Sequence, residues 1–227
     1  MNVLCVAAHP DDEVLGVGGT LAKHAAAGDP VEILLLGDGE MARHETETPE
    51  ARERKQERRD EARTAGGVLG VESMRILDYR GNQLDDYPLI NVVRDIEDVI
   101  AETEPEVIYT HHYGDLNIDH QIVARAVKTA ARPQVDSPVD RILAFETLSA
   151  TEWAMPTADT AFQPTVFVDI EEQLDQKMEA IDVYASEMRE RPHSRSIEAI
   201  ENNALVWGDK YGLLAAEPFE LLFERRR

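Results

Sequence analysis

The sequence predicts a single-domain α/β protein over residues 1–227: a mainly parallel, doubly wound (Rossmann-like) sheet flanked by helices. Three observations lead there. Short apolar runs alternate with longer helical patterns through the first 145 residues. The earliest runs are apolar at nearly every position, as strands covered on both faces are. No break in composition and no internal repeat marks a domain boundary. With 43% hydrophobic residues the chain has enough apolar surface to bury a core of this kind.

Residues 2–8 form the first expected strand. A turn at His9-Pro10-Asp11-Asp12 leads into a helix that runs to about Ala27 and stops at Gly28. Residues 31–36 read as a second strand, and residues 38–49 carry no periodicity. From Pro49 a highly charged helix extends to about Leu69, followed by Gly70 and a short strand at 75–78. Ile90, Val93, Ile96, Val99 and Ile100 stand at helical spacing, which predicts a helix after Pro88. A strand at 106–110, a helix from about 119 to 131, and strands at 142–146 and 165–169 come next. Residues 171–189 and 195–207 read as helices and 219–223 as a late strand, while 151–164 is expected to cross the sheet edge as a loop. Trp207-Gly208 is read as packing followed by a turn, and His24 and His44 as surface residues.

Charge narrows the function. Forty-five acidic against 23 basic residues give −22 and a pI near 4.6, so the chain repels phosphate backbones and no nucleic-acid partner is expected. Among the basic residues only Lys23, Lys55, Lys128, Lys177 and Lys210 are lysines. Acid excess with few lysines fits a halophilic protein in a salt-rich cytoplasm, where screening relieves self-repulsion. No apolar run approaches the roughly 18 residues of an integral membrane segment, and no signal peptide is read, so the expected location is cytoplasmic. The single cysteine, Cys5, excludes an intrachain disulfide framework and a multi-cysteine metal site, and reads as a small buried hydrophobe.

Ligands of open α/β sheets bind at the carboxyl ends of strands, which makes the polar residues there informative. His9-Pro10-Asp11-Asp12-Glu13 follows the first strand. His9 and Asp12 are spaced to face one ion, and imidazole with carboxylate suits Zn²⁺ or, less tightly, Fe²⁺, Mn²⁺ or Co²⁺. A helix cap needs only one acid, so two adjacent ones exceed that simpler role. The second cluster, His111 to His120, gathers three of the seven histidines after another strand, and His120 could complete a His/Asp/His set with an open position. Its plainer reading is a surface loop with Asp119 capping the next helix. Gly16-Val17-Gly18-Gly19 lacks the third glycine of a dinucleotide fingerprint and falls inside the helix, where small residues allow close packing on the sheet. Gly37-Asp38-Gly39 reads as a flexible rim of the site. His193, from the C-terminal half, is weighed as a further group that could reach the pocket.

These residues resemble a known family. Ala8-His9-Pro10-Asp11-Asp12-Glu13, then Gly16 to Thr20 and the Asp119-His120 pair, is similar to the LmbE-like, or PIG-L, zinc-dependent de-N-acetylases. Arg58-Arg59-Asp60-Glu61, Ala65 and Leu69-Gly70-Val71 resemble its Arg-x-x-Glu helix. Lys177, Ala180, Tyr184 and Ala216-Glu217-Pro218-Phe219 resemble its C-terminal part. The resemblance implies that His9, Asp12 and His120 bind zinc, that Asp11 is the general base, and that Arg58 lies near the substrate. Many members carry a histidine where this chain has Asn117, and an amide can donate to an oxyanion but cannot act as an acid at neutral pH. His111, His112 or Tyr113 are the candidate replacements, with His112 and Tyr113 also on the substrate side, and Asp11 could return its own proton to the amine. The expected activity is removal of an acetyl group from an N-acetylated sugar or sugar conjugate, a small-molecule partner. Two alternatives are a non-catalytic metal- or carbohydrate-binding relative and an amidohydrolase of non-sugar N-acyl compounds. A homo-oligomer is compatible with either.

Overall fold

Val3–Ala7 forms β1, five consecutive buried residues inside the sheet, with a strand on either side. Its side chains alternate between two cores. Val3, Cys5 and Ala7 join one cluster with the first helix, and Leu4, Val6 and Ala8 join the other. The computed structural model describes residues 1–40 and 48–226. In chain order the further elements are α1 (Asp12–Ala26), β2 (Val31–Gly37), α2 (Pro49–Leu69), β3 (Ser73–Tyr79), α3 (Leu89–Thr103), β4 (Val107–His111) and α4 (Ile118–Ala130). There follow β5 (Arg141–Phe145), β6 (Val166–Asp169), α5 (Leu174–Val183), α6 (Ile197–Tyr211) and β7 (Ala216–Glu224). The aperiodic stretch and His44 fall largely on residues 41–47, outside the described residues.

The strands lie in the order β3-β2-β1-β4-β5-β7-β6. From β3 to β5 all pairs are parallel, whereas β7 runs antiparallel to both β5 and β6. Because β2 and β4 flank β1, the strand order reverses between β1 and β4. That switch point is where the loops after neighbouring strands diverge and leave a crevice. Pro218 is tolerated inside β7 because β5 ends at Phe145, opposite Phe219, so no ladder partner on that side needs its missing N–H.

Close packing explains the glycines of α1. A Cβ on Gly16 would lie 2.2 Å from the Phe145 ring, and one on Gly19 would lie 2.8 Å from Ile170. The C-terminal half is tied to the same helix by a buried ion pair. Glu217 accepts the backbone N–H groups of Gly19 and Thr20, while Lys177 bonds both Leu15 O (3.0 Å) and Glu217 (2.6 Å).

Three local expectations need correction. The helix expected over 171–189 is a 3₁₀ turn at Glu171–Gln173 followed by α5, which stops at Val183. Tyr184 leaves the helical path, fully buried, and donates its hydroxyl to Glu13. Helix α6 starts later, with Ser196 as its N-cap, and runs through Trp207 and Gly208 to Tyr211 before Gly212 ends it in the left-handed conformation. His24 is half-buried rather than a surface residue, held between Asp29 (2.7 Å) and the Tyr109 hydroxyl (3.0 Å).

Candidate metal centre at the strand switch point

The chain leaves β1 through a tight turn whose last residue, Asp11, has φ 110°. A non-glycine residue there costs on the order of 1–3 kcal/mol and persists only where the surroundings enforce it. The Glu13 carboxylate accepts the Asp11 N–H (3.0 Å) and the Tyr184 hydroxyl (2.6 Å), and burial pushes its pKa up to about 8. Asp12 then opens α1 and accepts the His9 N–H on Oδ2 (2.9 Å).

His9, Asp12 and His120 come together, all buried, with one donor atom from each lying within 4.8 Å of the others. His9 Nδ1 and His120 Nε2 both stand 3.3 Å from Asp12 Oδ2. The far nitrogen of each ring faces a carboxylate. His9 Nε2 meets Asp119 Oδ2 at 2.9 Å, and His120 Nδ1 is 3.2 Å from Asp115 Oδ1. Those carboxylates are themselves fixed. Asp119 accepts the backbone N–H groups of Asn82 and Leu84, and Asp115 accepts the Asn117 N–H (2.8 Å) and the Thr151 hydroxyl (2.7 Å). Asp119 is therefore no helix cap; Asn117 is, its Oδ1 accepting the Asp119 N–H at 2.9 Å.

A carboxylate behind each imidazole orients the ring and raises its basicity toward an ion. The electrostatics agree. Although burial lowers the pKa of His9, its bonds to Asp119 and Asp12 raise it to about 9. His120 rises to about 10 under Asp12 and Asp115, again against burial. For Asp12, burial is outweighed by the His120 charge and by hydrogen bonds from His120 and His9, which hold its carboxyl well below the usual range. The pocket thus favours positive charge, and Asp12 Oδ1 is buried with no partner among the described residues. Two carboxylate-backed imidazoles and one carboxylate, an oxygen of which is orphaned, fit a divalent ion such as Zn²⁺.

His111 is set apart from this trio. Its ring stacks on His120 (centroids 3.9 Å apart, 14°), but Nε2 accepts the Ala8 N–H at 3.0 Å and Nδ1 meets the Thr147 hydroxyl at 3.1 Å. Its lone pair is engaged, and burial pushes its pKa down to about 3, so it stays neutral.

Asp11 stands beside the trio rather than in it. Its Oδ2 pairs with Arg195 Nη1 (2.9 Å) and Arg58 Nη2 (3.5 Å). Burial raises its pKa, Arg195 opposes the rise, and the Asp12 charge adds to it. Arg58 is only 2% exposed. It donates to Pro10 O and to Glu61 (3.0 Å), and its guanidinium lies 5.2 Å from the Tyr184 ring centre. It therefore underlies the turn.

The remaining candidates have other occupations. Asn117 Nδ2 donates to Asn82 Oδ1 (3.0 Å). His112 is buried, with Nε2 3.0 Å from Thr160 O and its ring against Tyr113 and Phe162. The Tyr113 hydroxyl donates to Asp159 O (3.1 Å), so both residues brace the segment around 159–162. His193 accepts the Arg195 N–H (3.0 Å) and packs edge-on against Trp153, so this turn reaches Asp11 through Arg195. The sequence gives no signal for Arg195 or for Asp115 behind His120, and it offers Asp119 as a helix cap where the structure has it behind His9.

A family profile described as PIG-L, GlcNAc-PI de-N-acetylase, matches residues 4–131, more than half of the chain. The chain belongs to the PIG-L family. It is 28% identical to a diacetylchitobiose deacetylase of Thermococcus kodakarensis over 95% of this chain and 81% of that protein. A probable N-acetyl-alpha-D-glucosaminyl L-malate deacetylase 2 of Bacillus anthracis is 26% identical over 82% of this chain and 81% of its own length. Among solved structures, GalB, the 4-carboxy-2-hydroxymuconate hydratase of Pseudomonas putida KT2440, superposes with a TM-score of 0.78 at 25% identity. That match covers 100% of this chain and 98% of the other. His9, Asp11, Asp12 and His120 all lie within the residues that the family profile matches, and GalB, of similar fold, is named as a hydratase.

Proposed function

We propose that this PIG-L protein is a metal-dependent N-deacetylase, using Zn²⁺ at His9, Asp12 and His120, that hydrolyses the acetamide of an N-acetylated sugar or sugar conjugate. The observation that carries the reading is the buried His9/Asp12/His120 set with a separate carboxylate, Asp11, held beside it by two arginines. A bound divalent ion there supplies Lewis acidity to a carbonyl and makes a water acidic enough to ionise near neutral pH. Asp11, with its pKa raised, accepts that proton and returns it to the departing amine. Asn117 uses its Oδ1 on the α4 cap and one Nδ2 hydrogen on Asn82, and its second Nδ2 hydrogen is the donor we assign to the carbonyl oxygen. Arg58 acts through Asp11 and Pro10, and His112 and Tyr113 act on the substrate side through the segment they brace. A purely metal- or sugar-binding protein would have no use for Asp11 in a costly backbone conformation. The named sugar deacetylases among the relatives favour a sugar over a non-sugar amide. Acetate release from a panel of N-acetyl sugars, with an unsaturated hydroxy acid as control for the hydratase alternative, tests the reading.

The −22 charge supports a protein of salt-rich surroundings. The Debye length falls from about 10 Å at 0.1 M to about 3 Å at 1 M, which removes most repulsion between exposed carboxylates. The melting temperature is expected to climb between roughly 0.1 and 2 M KCl, a range spanning that change in screening. A flat or falling curve in differential scanning calorimetry would defeat the halophilic assignment and leave the deacetylase one standing. Among the described residues, no helix is long and apolar enough to cross a membrane.

A further inference from the structure

We propose that Arg195 is a positioning residue that pins one oxygen of Asp11 and so aims the other at the reacting water. Both arginine contacts to Asp11 fall on Oδ2. No donor among the described residues reaches Oδ1, which leaves that oxygen as the one able to take a proton. The two arginines are not equivalent. Arg58 Nη2 stands 3.5 Å away and is already committed to Pro10 O, with Nη1 on Glu61. Arg195 makes the short bond, 2.9 Å, and is braced by two other segments. Its Nε donates to Leu148 O (3.3 Å), and its backbone N–H to His193, whose ring is packed against Trp153. The guanidinium is therefore held by the loop after β5 and by its own turn before α6, each independent of the β1 turn that carries Asp11.

Asp11 needs such a restraint. At φ 110° it occupies the N-cap position of α1 but makes no side-chain cap bond, so nothing within its own turn fixes the carboxylate. Misplacing a reacting group by about 1 Å can cost on the order of 10²-fold in rate. A base held by a bond to a second loop meets that tolerance only while the bond lasts.

The kinetic arm of this inference rests on the deacetylase reading; the structural arm does not. In the crystal structure of zinc-loaded Arg195→Gln, the Asp11 carboxylate is expected to rotate or shift by more than about 0.5 Å, the tolerance of a productive site. On an N-acetyl sugar that the wild-type protein hydrolyses, kcat is expected to fall by about 10- to 10²-fold with KM and zinc content little changed. Arg195→Lys keeps the charge on a shorter reach and gives the same measurements should the glutamine variant not fold. An Asp11 carboxylate that stays in place overturns the proposal. So does a raised KM at unchanged kcat, which would make Arg195 a substrate-binding group. If the wild-type protein hydrolyses no N-acetyl sugar, the deacetylase reading falls and the crystallographic comparison alone decides this one.

Discussion

His120→Asn is expected to cost the protein its metal while leaving the fold intact. The asparagine Nδ2 can replace the imidazole Nδ1 opposite Asp115, which is 3.2 Å from that nitrogen, so the carboxylate keeps a donor. What disappears is Nε2, the atom 3.3 Å from Asp12 Oδ2 on the metal-facing side. Loss of an outer-shell partner alone costs 10- to 100-fold in affinity, so loss of one of three ligands is expected to cost about 10²-fold or more. Zinc content after dialysis against a weak chelator, measured beside the circular dichroism spectrum, checks this. Stoichiometric zinc of unchanged affinity in a folded variant would remove His120 from the ligand set.

The second large effect belongs to Asp11→Asn. An amide keeps the shape but accepts no proton, so acetate release is expected to fall by about 10²-fold or more while zinc stays bound. The Arg195 and Arg58 contacts become neutral–charged, and the melting temperature reports what that costs. Unaltered turnover at full zinc occupancy would reduce Asp11 to a structural residue of the turn.

Much of this arrangement was legible in the residues. The apolar runs at 2–8, 31–36 and 106–110 became β1, β2 and β4, each covered on both faces, as near-continuous apolar runs of strand length are in a parallel sheet. His9 and Asp12 were legible because their spacing across one turn is local. His120 was legible only as one of three histidines in a cluster, and what removes its stacked neighbour His111 from the ligand set is the bond its Nε2 accepts from the Ala8 N–H. That bond depends on β1 and β4 being neighbours. The carboxylates behind the imidazoles follow the same logic. Asp115 and Asp119 looked like loop and cap residues because their partners are decided by which ring nitrogen faces Asp12. Arg195 lies 184 residues from Asp11, in a turn whose position is set by the early end of α5. That end is dictated by Tyr184 packing into the core and bonding Glu13, a contact across the fold that no local periodicity reports.

Deacetylation that depends on a metal held by His9, Asp12 and His120 is the decisive property. It is tested most directly by stripping the protein with a chelator, titrating zinc back, and measuring acetate and free amine released from N,N′-diacetylchitobiose and other N-acetyl sugars. No release is expected from the stripped protein, with recovery that levels off near one zinc per chain and equal amounts of acetate and amine. Turnover that survives complete removal of metal, or a zinc-loaded protein that releases acetate from none of these sugars, would contradict it.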